Sequence, residues 1–242
     1  MPRRRTHILL YIAFAAIIGA LVVAANILRG NSTLRGISIA VNYPAQDTLL
    51  VPSDIDTLLL TAIPGLRSQP VKHIDTRAIN ALVAANPYVL HCHTSISAGR
   101  TLRLRVTQRQ PVMYLILPDK SHLYYDNTAT PIPPNPKVTP AVATVLASSS
   151  DTSHIAQACT LACFLADNSR YSHLATHISI QPDGTLTATS PNAPYTIIIG
   201  DASSLPQKFN LLATLLSQLP QSQLNRYQTI NLRYNNQIVC KP

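Results

Sequence analysis

The stretch TLRLRVTQRQPVMYLI, Thr101 to Ile116, alternates aliphatic residues with arginine and then meets a proline where a strand would continue. Leu102, Leu104 and Val106 set against Arg103 and Arg105 give the period-two pattern of a strand with one buried face and one wet face. Proline has no N–H to donate to a ladder, so Pro111 belongs at a strand edge or start. The Leu/Arg strand therefore closes one structural unit, and PVMYLILP opens another.

Upstream, GISIAVNY (Gly36 to Tyr43) reads as a short strand with Ile37, Ile39 and Val41 on one side. PSDIDTLLLTAIPG follows, where Ser53 and Asp56 match a Ser-x-x-acid helix start, Ile55, Leu58, Leu59 and Ala62 share a face, and Pro64-Gly65 ends the helix. In HIDTRAINALVAANP, Asp75 is the expected N-cap, Ile74 and Ile79 form a hydrophobic staple, and Pro87 stops the second helix. YVLHCHTSI and TLRLRVTQ, joined through Ser97 to Arg100, complete a β-α-α-β-β order over residues 36–110, each helix covering one face of a three-stranded sheet.

Downstream, HLYYDNTATPIPP predicts a hairpin arm before a proline-rich crossing from Pro131 to Pro140. Helices are expected over Asp151 to Asn168 and from Pro206, the latter with Phe209, Leu212, Ala213, Leu216 and Leu219 inward. HISIQPDGTLTATS is a hairpin turning at Asp183-Gly184, YTIIIG a buried strand ending at Gly200, and YQTINLRYNNQIV a closing strand. The predicted fold class is α+β, with a second β-rich unit over residues 111–242 built on a mostly antiparallel sheet and packed helices.

Ile8 to Leu28 carries no charge, and Asn26 is its one strongly polar side chain. At about 1.5 Å per residue this reaches across a hydrocarbon core of about 30 Å. Arg3, Arg4 and Arg5 in the short tail of residues 1–7 favour a cytoplasmic N-terminus, with the bulk of the chain outside. A cleaved signal peptide is the rival, because Val23 to Ala25 has small residues suited to cleavage, but the apolar run is longer than a signal core of about 7 to 15 residues. A net charge of +9 raises nucleic acid or an anionic membrane as partners. An extracytoplasmic location, with no stacking motif, speaks against nucleic acid.

Glutamate is absent, so all ten acidic side chains are aspartates. Asp54, Asp56, Asp75 and Asp151 are absorbed by helix starts and Asp183 by a turn. No nucleophile elbow, Walker, zincin or Rossmann motif is present. His91 and His93 of HCH point away from Cys92 on a strand, Cys159 and Cys163 share an apolar helix face, His154 lies about 140° around that helix from Cys159, and His173 and His177 sit in a strand-like run. No catalytic, cofactor or metal residue and no small-molecule substrate is therefore expected.

TLRLRVTQRQPV, the order QPDGTLTATS…YTIIIG…Lys208, and INLRYNNQIV together resemble the bacterial division family FtsQ/DivIB, over about Arg3 to Val239. Gln108 stands where that family carries an acid, Asn231 where it carries an aspartate, and YYDNTATPI lacks its glycine. The resemblance implies a non-enzymatic, single-pass scaffold of the cytoplasmic membrane, concentrated at the division septum. It implies a POTRA-like first domain and a distal domain that binds FtsB in complex with FtsL. On that reading Arg233, Tyr234 and Asn236 of the closing strand contact the partner, whose own strand is added at a free edge. A POTRA-containing envelope-biogenesis or transport partner and a secreted hydrolase are the alternatives.

Overall fold

The computed structural model describes residues 3–44, 47–191, 193–234 and 237–242. The chain forms two compact units, one of Met1–Tyr43 with Leu50–Gln108, the other of Pro44–Leu49 with Arg109–Pro242.

The first unit begins with α1 (Arg3–Asn31), whose window Phe14–Asn31 has a mean hydropathy of 1.6 and is long and apolar enough to cross a membrane. Then come β1 (Gly36–Asn42), α2 (Pro52–Ala62), a single 3-10 turn (Val71–His73), α3 (Thr76–Ala84), β2 (Val89–Ile96) and β3 (Thr101–Gln108). The sheet order is β1-β3-β2, with β1 parallel and β2 antiparallel to the central β3. Leu102, Leu104 and Val106 are buried in one cluster with Ile55 and Leu59 of α2 and Ile79 and Val83 of α3, while Arg103 and Arg105 are exposed. Both helices thus cover the same face, rather than one face each, because only the leucine side of β3 offers apolar area to bury.

Asp75 caps α3 as expected, its Oδ1 accepting from the N–H groups of Arg77 at 2.8 Å and Ala78 at 3.1 Å. Helix α2 starts earlier than the Ser53 signature predicts. Val51 is the N-cap, Pro52 occupies the first turn, where a missing N–H costs nothing, and Asp54 Oδ2 accepts from Val51 N at 3.2 Å. Asp56 pairs instead with Arg67 at 3.3 Å.

The second unit contains β4 (Pro111–Ile116), β5 (His122–Asp126), β6 (Pro131–Ile132), β7 (Ala143–Ala147), α4 (Thr152–Asp167), α5 (Ser169–Ser172), β8 (His177–Ile180), β9 (Leu186–Thr189), β10 (Thr196–Gly200), α6 (Leu205–Gln218), α7 (Gln221–Leu224), β11 (Thr229–Asn231) and β12 (Val239–Lys241). These strands form one sheet in the order β12-β11-β10-β9-β8-β7-β4-β5-β6. Most pairings are antiparallel, and β7 to β8 and β10 to β11 are parallel pairs bridged by α4 and α6. Phe209 of α6 is fully buried among Phe164 and Tyr171, with ring centroids 5.3 and 5.7 Å away.

The closing run that reads as one strand is two. Strand β11 lies between β10 and β12, and the chain reverses after Leu232. Ile230 and Leu232 are buried, so the core takes the first half of the run, and β12 occupies the edge of the sheet.

Candidate functional site

Three elements of the second unit bring side chains together at the end of β10. Gly200 adopts φ +84°, and a Cβ placed there would meet Arg233 Cγ at 2.6 Å. Gly184, at the β8–β9 turn with φ +83°, would bring a Cβ into the His154 ring. Each glycine serves the left-handed backbone and also leaves the space that another side chain crosses. The result is a cleft of about 390 Å³ lined by His154, Asp183, Gly200, Asp201, Lys208 and Arg233. Gly200→Ala is expected to lose about 1–2 kcal/mol to left-handed strain alone and to displace Arg233. An unchanged urea midpoint would contradict that account.

The charges in the cleft are unequally engaged. Lys208 Nζ donates to Asp201 Oδ1 at 2.7 Å and to the Asp201 carbonyl at 2.9 Å, which holds the Asp201 carboxyl down to about 2, with Ser203 adding its own bonds. A depressed carboxylate keeps its pair above its unfolded value and loses it only as the pH falls through about 2, so the pair stays closed at ordinary pH. Asp183 is also held below its ordinary value, first by the Thr185 N–H at 2.9 Å and the Thr185 hydroxyl, with a weaker contribution from Arg233.

Arg233 is different. Its N–H donates to Asn231 Oδ1 at 3.0 Å and its Nε to the same oxygen at 3.4 Å, and among the described residues it forms no ion pair. Asn231, 5% exposed, thus holds Arg233 through a neutral acceptor. In the first unit the buried Gln108 is likewise a neutral acceptor, its Oε1 taking the Leu50 N–H at 3.0 Å. Tyr234, next to Arg233, is 47% exposed. Asn236 lies outside the described residues. Arg233 and Tyr234 sit in the connection between β11 and β12 rather than on a continuous strand.

His91 and His93 are exposed on β2 while Cys92 is half-buried against the core, and no group of three metal-ligating side chains occurs among the described residues. Cys159 is buried, and its hydrogen bond with Cys163, together with burial, pushes the thiol up; its Sγ donates to the Asp126 carbonyl at 3.0 Å. His154 Nδ1 lies 3.4 Å from Ser149 Oγ, a contact longer than a working nucleophile–base pair. Sequence reasoning placed His154 only in relation to Cys159. Its place beside Gly184 comes from chain crossings that no local pattern carries.

The family model described as FtsQ/DivIB, C-terminal related, matches residues 110–241, more than half of the chain. The chain belongs to the FtsQ/DivIB C-terminal related family. FtsQ/DivIB proteins are non-enzymatic division proteins, and with the apolar helix α1 this one is a membrane-anchored member with a division-associated role. No curated protein matches the chain. The FtsQ/DivIB match covers all of β4 to β12 and contains both Arg233 and Tyr234.

Proposed function

We propose that this protein is a non-enzymatic division-site scaffold that links cytoplasmic and extracytoplasmic components of the divisome by binding FtsB/FtsL-type bitopic proteins through its second unit. Its N-terminus lies in the cytoplasm, α1 crosses the cytoplasmic membrane over about Ile8 to Leu28, and the rest is periplasmic and gathers at the septum. Residues 36–110 form the POTRA-like domain, a reading supported by the β-α-α-β-β order around a three-stranded sheet. Residues 111–242 form the partner-binding domain.

The observation that carries the reading is the exposed Arg233, with a neutral acceptor as its hydrogen-bond partner, beside the half-exposed Tyr234 at the approach to the edge strand β12. Arg and Tyr are favoured interface anchors, and an edge strand offers main-chain groups for strand addition. Asn236 is assigned to the same contact. Neither described side chain is needed by the core, so their substitution separates binding from folding.

The test is a membrane pull-down of the intact protein against Arg233→Glu and Tyr234→Ala. Each is expected to weaken capture of FtsB- and FtsL-like proteins about thirtyfold, equivalent to about 2 kcal/mol, with an unchanged denaturation midpoint. Undiminished capture by both variants would remove the interface from this site.

A further inference from the structure

Helix α1 ends in a joint with the body of its own unit. Val71 N donates to the Ser32 carbonyl at 2.9 Å, Thr33 bridges to Pro70, and Arg29 Nη2 donates to the Ser97 carbonyl at 2.9 Å. Leu34 is buried in the core immediately after the helix. The 3-10 turn and the β2–β3 turn are thus both fastened to the last turn of the apolar helix. A Cβ on Gly30 would lie 3.6 Å from Lys72 Cβ, so the lysine stem leans over that glycine.

Below Lys72 runs a groove of about 500 Å³ lined by Val23, Asn26, Ile27, Gly30, Asn31 and Lys72. Positions 23, 26, 27 and 30 share one helical face. Val23 and Ile27, each 58% exposed, make most of its lower part, with the Asn26 amide between them, and its upper end offers the Asn31 amide and the Lys72 ammonium. Lys72 is exposed and, among the described residues, forms no ion pair. The acidic side chains of this unit are engaged elsewhere: Asp54 with Val51 N–H, Asp56 with Arg67, and Asp75 with the α3 N-terminus.

We propose that this groove holds one anionic phospholipid, its acyl chain along Val23 and Ile27 and its phosphate against the Lys72 ammonium. An apolar channel that ends in an unneutralised cation at the mouth of a membrane helix matches the amphipathic order of such a lipid. The Asn31 amide, beyond the apolar stretch, supplies a hydrogen-bond donor beside the ammonium. The proposal rests on the membrane anchor alone and not on partner binding through Arg233.

The experiment is native mass spectrometry of the full-length protein released from detergent micelles that contain phosphatidylglycerol or phosphatidylcholine. The parent is expected to retain one phosphatidylglycerol in preference to phosphatidylcholine. Lys72→Gln should lower that preference about fivefold, Lys72→Arg should keep it, and Lys137→Gln, in the other unit, should leave it at the parent level. Equal retention of the two lipids by the parent, or an undiminished preference in Lys72→Gln, overturns the proposal. Pull-down of the division partners by Lys72→Gln is expected at the parent level, so a failed lipid site and a failed partner site give different results.

Discussion

Ending the chain after Gln228 is expected to leave the second unit unfolded, whereas ending it after Ile238 is expected to leave it folded. The shorter chain lacks β11, with Ile230 fully buried and Leu232 at 2% exposure, both within the main core cluster. Removing a buried Ile or Leu side chain costs about 2–5 kcal/mol each, and the whole stability of a domain is about 5–15 kcal/mol. The backbone loss adds to this, because Leu232 N donates to the Ile198 carbonyl at 2.8 Å and β11 is the parallel partner of β10. The longer chain loses only β12, whose Val239 and Cys240 are half-buried and whose Lys241 is exposed. Urea denaturation followed by circular dichroism should give one fewer cooperative transition for the shorter chain and a modestly shifted midpoint for the longer. A parent-like transition in the chain ending at Gln228 would show that β11 is dispensable. Lost partner capture by that shorter chain reports unfolding, while capture by the chain ending at Ile238 reports what β12 contributes to binding.

Asp126→Ala is expected to destabilise the second unit by about 2–3 kcal/mol, the cost of leaving two backbone N–H groups and the partly exposed Arg109 guanidinium without their acceptor. The Asp126 carboxylate is 1% exposed and meets Arg109 Nη1 through Oδ2. Its Oδ1 accepts from Thr128 N at 2.9 Å, Thr128 Oγ1 at 2.7 Å and Thr130 N at 2.9 Å, closing the turn between β5 and β6. Alanine would leave the Arg109 guanidinium and two backbone N–H groups without this acceptor. Asp126→Asn keeps an acceptor but loses the charge, so its cost should be about 1–2 kcal/mol. Burial pushes the Asp126 carboxyl up, but the bonds from Thr128, Thr130 and Arg109 outweigh it and hold the group below 3.8. Its contribution is therefore present above the unfolded value and disappears as the pH falls through the lower folded value. The parent midpoint should fall as the pH drops below about 4, more steeply than that of Asp126→Asn. Parallel pH profiles would mean that another carboxylate governs acid stability.

Much of this architecture follows from local chemistry. The Leu/Arg alternation of β3, the Asp75 cap, the Asp183-Gly184 turn and the Phe209 stripe of α6 each reflect interactions within a few residues, and the structure places each as its pattern implies. The start of α2 was readable in principle, since Pro52 is a strong first-turn residue, but the Ser53 signature competes with it and sets the N-cap two positions after Val51.

The candidate site is another matter. Gly200 and Arg233 lie on opposite sides of α6 in the chain, and only the parallel pairing of β10 with β11 lays one across the other. The split of the closing run into β11 and β12 depends on which residues the core can accommodate. Ile230 and Leu232 are taken in and the chain turns out at Arg233, a decision made by non-local burial rather than by strand propensity. By itself the sequence determined the apolar span, most of the helices and strands and the family resemblance, because periodicity, caps and breakers act over a few residues; strand β7 and the break between β11 and β12 carried no such local signal. Tertiary structure alone decided the shared helix face of the first sheet, the edge position of β12, the exposure of Arg233 and Tyr234, and the lysine leaning over Gly30. Those depend on which distant surfaces exclude water together, and no spacing along the chain encodes that.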